Sequence, residues 1–147
     1  MFNFLKKNKD ENKNNINSIK KIAALLIHAA KIDENYTDKE KEIINKTIIK
    51  LGCDEKNSIN IIRDAEELEA NSNQILDFTR EIKNIDEDSK KKIVESLWNI
   101  IYSDEKSDMY EANLMRRLTG LLYLDPKVVG NIKEKVKLKI KSDISSK

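Results

Sequence analysis

The residues with the most chemical capacity in this chain are carboxylates, and they come in two sets. Asp33-Glu34-Asn35-Tyr36-Thr37-Asp38-Lys39-Glu40 is followed 71 positions later by Asp104-Glu105-Lys106-Ser107-Asp108-Met109-Tyr110-Glu111. In each set two acidic residues open a short connection, and a Glu follows the first Asp by seven positions. Oxygen donors at this density suit a hard divalent cation, Ca²⁺ or Mg²⁺, and like charges held close favour a cation between them. Asp33, Glu34, Glu40, Asp104, Glu105 and Glu111 are therefore the candidate ligands of a weakly held metal. The spacing is not that of an EF-hand. Counted from Asp33, the glycine and bidentate-glutamate positions hold Asp38 and Ile44; counted from Asp104, they hold Met109 and Met115. A structural reading stands beside the metal reading. Thr37-x-x-Glu40 and Asp108-x-x-Glu111 both fit a capping box, in which side chain and backbone satisfy each other at a helix start. Asp33 and Asp104 would then accept turn amides.

Four further residues are candidate contacts for a protein partner: Asp38, Asp108, His28 and Trp98. His28 interrupts an apolar run, where a histidine packed in the core is the competing reading. Trp98 and Tyr102 read as core and rim aromatics, unless Trp98 is exposed and marks a groove. Cys53 is the only cysteine, which excludes a disulfide within the chain and a Cys-based zinc site. It has no base near it in sequence and reads as a small buried residue. A metal-dependent hydrolase would need a nucleophile, a Gly-rich phosphate loop or a His-rich ligand shell. None is present, so the chain is expected not to be an enzyme. Lys133, Lys135, Lys137, Lys139 and Lys141 spread around a helix instead of forming one stripe, and no aromatic follows Tyr123. That excludes nucleic acid as the expected partner and leaves a solvated helix end, with an anionic membrane or acidic partner as the alternative.

Helices must position these residues. One Pro and three Gly in 147 residues leave little for tight turns between strands. The first helix is expected over Ile16–Ile32, with a stripe of Ile19, Ile22, Ala23, Leu26 and Ala30 widened by Ala24, Leu25, Ile27 and Ala29, so that it is buried on most sides. Thr37 starts the second, Gly52 ends it, and Asp54 caps a third over Glu55–Ala70 with Ile59, Ile62, Ala65 and Leu68 inward. A fourth fits Asn73–Asn84. Asp86 or Asp88 caps a fifth near Glu87–Ser103, a sixth follows the second acidic set, and Asp125-Pro126 opens a seventh. The expected fold is all-α, about seven helices in a compact bundle.

The 71-residue offset aligns more than the turns. Leu26 falls on Leu97, Ile43-Ile44 on Leu114-Met115, Lys46 on Arg117, Leu51 on Leu122, Asp54 on Asp125 and Lys56 on Lys127. This register describes two pseudo-symmetric helical hairpins that bury their apolar faces together. The stretch from Leu25 through Asp33 and Glu40 to Ile44 resembles the first signature of the TerB domain, known from tellurite-resistance proteins and DjlA-type co-chaperones. Leu97-Trp98 through Asp104 and Glu111 to Arg116-Arg117 resembles its second, with a Leu-Trp pair before the turn and a basic pair after the Glu. The resemblance covers about residues 16–137. It implies a role in tellurite or wider chemical-stress resistance, exercised through a protein partner, a metal ion or both. A plain scaffold or chaperone-adaptor domain is the alternative. Glu34 and Glu105 stand where the family prefers Gly, which adds negative charge to each turn. No His-Pro-Asp tripeptide is present, so co-chaperone activity is not implied.

Length fits one domain: a short N-terminal segment and flexible linker over 1–15, the helical domain over 16–141, and a frayed tail over 142–147. The net charge of +2 conceals basic ends, +4 over residues 1–21 and +5 over 127–147, around a body of −7. No apolar run approaches the ~18 residues that span a bilayer, and the first residues lack the pattern of a secretory signal. The expected setting is cytoplasmic, with a partner that could itself be membrane-associated.

Overall fold

The computed structural model describes the backbone of residues 9–32, 36–103 and 109–145, and the side chains of 16–32, 36–80, 82–103 and 113–142. Among these residues the elements are seven helices and no strand: α1 (Lys9–Ala30), α2 (Asp38–Lys50), α3 (Glu55–Ala70), α4 (Leu76–Ile82), α5 (Glu87–Ile101), α6 (Met109–Leu121) and α7 (Pro126–Ser145). The all-α bundle expected from the sequence is the fold.

A helix stretch that is apolar on every side has to be covered on every side, and the stretch 22–27 of α1 is built that way. Ala23, Ala24, Leu25, Leu26 and Ile27 have no exposed surface. Helices α3, α4, α5 and α2 pack around α1, and α7 packs on α5. Alanines at 23, 24, 29 and 30 shorten the approach of these neighbours. Ile44, Ile48, Phe78, Ile82, Ile93, Leu97, Leu118 and Leu122 close the core around them. Burying one such Leu or Ile contributes about 1.5–3 kcal/mol.

Local chemistry sets most helix starts. The Asp54 carboxylate accepts from the Lys56 amide at 3.1 Å, and that of Asp125 from Lys127 at 2.9 Å. Asp86 caps α5 by accepting from the Ser89 amide at 3.0 Å and the Ser89 hydroxyl at 2.7 Å. Three boundaries differ from the sequence reading. Helix α1 begins at Lys9, so residues 9–15, read as a linker, are helical; no Pro or Gly interrupts them, and extending a helix already nucleated costs little. Helix α4 is confined to Leu76–Ile82, because Ser72 donates to the Asp77 carboxylate and a turn from Gln74 to Asp77 occupies the expected first residues. Helix α7 continues through Ser145, beyond the point where fraying was expected.

The inward face of α3 also differs. Ile59 is 67% exposed and Leu68 37%, whereas Ser58, Ile61, Ile62 and Ala65 are buried. Steps of three residues fall short of a full turn by about 60° each. A stripe read at 59, 62, 65 and 68 therefore winds off the core at both ends.

The 71-residue register holds at the helix boundaries. Helices α1 and α5 end at Ala30 and Ile101, α2 and α6 span Asp38–Lys50 and Met109–Leu121, and α3 and α7 begin at Glu55 and Pro126. The register extends to single hydrogen bonds. After α2, the Cys53 amide donates to the Ile48 carbonyl at 3.0 Å and Gly52 to Ile49 at 3.0 Å; after α6, Leu124 donates to Thr119 at 2.9 Å and Tyr123 to Gly120 at 3.2 Å. Both are Schellman closures, which require a left-handed residue at the middle position. Gly52 takes it at φ 111° and Tyr123 at φ 55°.

Candidate functional site

Of the acidic candidates, Glu40 and Asp38 have described side chains. Glu40 is 4% exposed and completes the capping box. Its carboxylate accepts from the Thr37 amide at 2.8 Å and the Thr37 hydroxyl at 3.0 Å, and the hydroxyl oxygen accepts from the Glu40 amide at 3.1 Å. Glu40 is thus turned inward to start α2. Asp38 is exposed in the first turn of that helix. Asp33, Glu34, Asp104, Glu105 and Asp108 lie outside the described residues, as does the side chain of Glu111. Among the described residues no group of three or more His, Cys, Asp or Glu could hold a metal ion.

The flanks of the two turns do meet. The ammonium of Lys39, at the start of α2, donates to the carbonyl of Ser103, the residue before Asp104, at 3.5 Å. Deeper along the same pair of helices the Thr47 and Ser96 hydroxyls meet at 2.8 Å in the core. Helices α2 and α5 therefore lie side by side, with the start of α2 next to the end of α5.

Next to this end, the Tyr36 hydroxyl is buried with no hydrogen-bond partner of good geometry among the described residues. Burial, and then the Glu66 carboxylate, hold its phenol well above the usual range, with a smaller push from Glu40. Lys41 bridges the two features: it pairs with Glu66 at 3.2 Å and sits 5.5 Å from the Tyr36 ring.

His28 is at the rim of α1. Its Nδ1 lies 3.3 Å from Glu69, whose other oxygen accepts from Lys31 at 2.9 Å. The ring meets Phe78 at 6.5 Å. It is tied to α3. Trp98 is 6% exposed. Its indole N–H donates to the Val129 carbonyl at 3.1 Å, its ring stacks on Tyr102 at 5.9 Å, and Lys133 covers it at 5.3 Å. The partner groove that an exposed Trp98 would mark is absent: the indole joins α5 to α7, because only there can its apolar body be buried while its N–H is satisfied. Cys53 is buried. Burial, and then Asp54, raise its thiol pKa, which disfavours the nucleophilic thiolate.

One feature escaped the sequence reading. Lys135 and Lys139 of α7 line a groove of about 280 Å³ together with Lys91 and Lys92 of α5. The signals were the run Lys90-Lys91-Lys92 and the four-residue spacing of Lys135 and Lys139, but neither announces the other.

Among the described residues no helix is long and apolar enough to cross a membrane. Comparison with curated proteins and with solved structures gave no match. The family model of tellurite resistance protein TerB matches residues 20–134. That span runs from α1 into α7 and takes in both acidic sets and the repeated helix ends between them, and on it the chain belongs to the TerB family.

Proposed function

We propose that this chain is a non-catalytic TerB module of tellurite or chemical-stress resistance that recruits a protein partner through the acidic end of its bundle, in the cytoplasm. The observation that supports this reading is the Lys39–Ser103 contact, which joins the exit of the first acidic turn to the entry of the second. On this proposal the two sets of carboxylates, 71 residues apart in sequence, act together at that end. A field of one sign concentrated on one end steers and selects a complementary partner. A protein partner is favoured over a divalent cation because Glu40, one of the six ligand candidates, is engaged in capping α2. The same capping supports the rival scaffold reading at Glu40.

The test reverses charge outside the capping box. Captures with the full chain and with Asp33→Lys/Glu34→Lys/Asp104→Lys/Glu105→Lys should differ in bound partner, while far-UV helicity stays the same. Equal capture would leave the turns with a structural role only. A melting temperature that rises with millimolar Ca²⁺ or Mg²⁺, and ceases to do so in Asp33→Asn/Asp104→Asn, would assign the end to a cation instead.

A further inference from the structure

Where α3 meets α1 and α2, charges across the junction are complementary. Lys20 of α1 pairs with Asp64 of α3 at 3.1 Å, Lys31 with Glu69 at 2.9 Å, and Lys41 of α2 with Glu66 at 3.2 Å. The α5–α7 junction differs. Its groove is lined by Lys91, Lys92, Lys135 and Lys139 around Ile132 and Val136, with Glu95 as the one carboxylate. Among the described residues none of these four lysines has an ion-pair partner within 4.0 Å. Like charges set side by side lower stability unless something of the opposite sign joins them.

The floor of the groove is apolar. Val136 is 3% exposed and Ile132 partly buried, so the apolar surface is recessed between two helices. On α7 the lining positions 132, 135, 136 and 139 follow the i, i+3, i+4, i+7 pattern of one helix face. They extend about 10 Å along the helix, at 1.5 Å per residue. Leu138, beside Lys139, is 66% exposed. We infer that the α5–α7 groove docks an acidic amphipathic helix of a protein partner, whose apolar side chains enter over Ile132 and Val136 while its carboxylates meet Lys91, Lys92, Lys135 and Lys139. This is the helix-in-groove mode of recognition. A bilayer is flat and would touch the rim without filling a recessed floor. A nucleic acid would have no use for the aliphatic floor and would find no aromatic among the lining residues on which to stack a base. The groove shares no residue with the acidic end proposed above and is lined by charge of the opposite sign.

The experiment uses the full chain and a fluorescently labelled helical peptide of about four turns, with Leu on one face and Glu flanking it. Peptide anisotropy should report saturable binding that weakens as salt rises. Lys135→Glu/Lys139→Glu should weaken it by at least about tenfold, Lys46→Glu/Lys50→Glu should change it by less than about twofold, and a peptide with Lys in place of each Glu should bind at least about tenfold more weakly. At low salt the Lys135→Glu/Lys139→Glu chain should also melt at a higher temperature than the parent, which shows that lost binding is not lost folding. Binding that is absent, or that survives the Lys135/Lys139 reversal, overturns the inference. It is equally overturned if vesicles of phosphatidylglycerol, or a second copy of the chain seen by sedimentation, depend on these lysines while the peptide does not. The acidic-end variants should bind the peptide as the parent does, so this result and that of the partner capture can fail separately.

Discussion

Tyr123 and Gly52 occupy equivalent positions in the two halves of the chain, and a comparison of the two isolates one physical term. Both close a Schellman motif with positive φ. The glycine meets no atom that an added Cβ would touch, so the cost of a side chain there is conformational alone, about 1–2 kcal/mol. Gly52→Ala should therefore lower stability by roughly that amount in urea unfolding. Tyr123→Gly should raise it, by about 0.5 kcal/mol, because relief of strain exceeds the added unfolded-state entropy and the ring is 69% exposed with a single cation–π contact to Lys83 at 5.7 Å. A drop in stability for Tyr123→Gly would mean that the ring contributes more than these contacts indicate. The glycine was readable as a helix stop from its type alone. That a tyrosine takes the same conformation was not, since no local pattern marks an unfavourable φ that the surrounding helices impose.

At the scale of the element, α5 depends on its first turn. Asp86 accepts two hydrogen bonds from Ser89, and these hold its carboxyl below the usual carboxylate range, burial opposing them and Lys92 assisting. Its folded pKa is thus lower than its unfolded one. The contribution to stability is present above the unfolded pKa of about 4 and disappears as pH falls through the folded value. Asp86→Ala should cost about 1 kcal/mol at neutral pH, and parent and variant should converge as the pH is lowered below about 4. A gap independent of pH would refute the cap as the source. The caps were legible because each is a bond between neighbours in sequence: Thr37 with Glu40, Asp54 with Lys56, Asp86 with Ser89. The face of α3 was not, because its four-position stripe was read at a spacing that winds around the helix, and only contact with α1 decides which of its apolar residues, Ile59 or Ile61, is covered.

At the scale of the whole molecule, α1 is the column around which α2, α3, α4 and α5 pack. Ala24 has no exposed surface, and interiors at this density do not accept added volume. Ala24→Leu should destabilise by about 1–3 kcal/mol and lower the unfolding midpoint of the entire chain in one transition, as expected of a single core. Two transitions would show that the halves unfold separately. The repeat itself was legible at this scale. The 71-residue offset read from side-chain types returns in helix ends and in single carbonyl partners.

The sequence alone determined the helical class, the caps, the repeat and, through the two acidic signatures, the family, because each of these is written in residues that are near neighbours or that recur at one offset. Tertiary structure decided what DENYTDKE can offer. It turned Glu40 inward as a capping residue and brought Lys39, at the start of α2, to Ser103, just after α5. It also buried Trp98 between α5 and α7 and gathered lysines from two distant stretches around one groove. Helix packing brings together residues far apart in sequence, and a charge acts on whatever lies within a few ångströms in space, not on its neighbours in the chain.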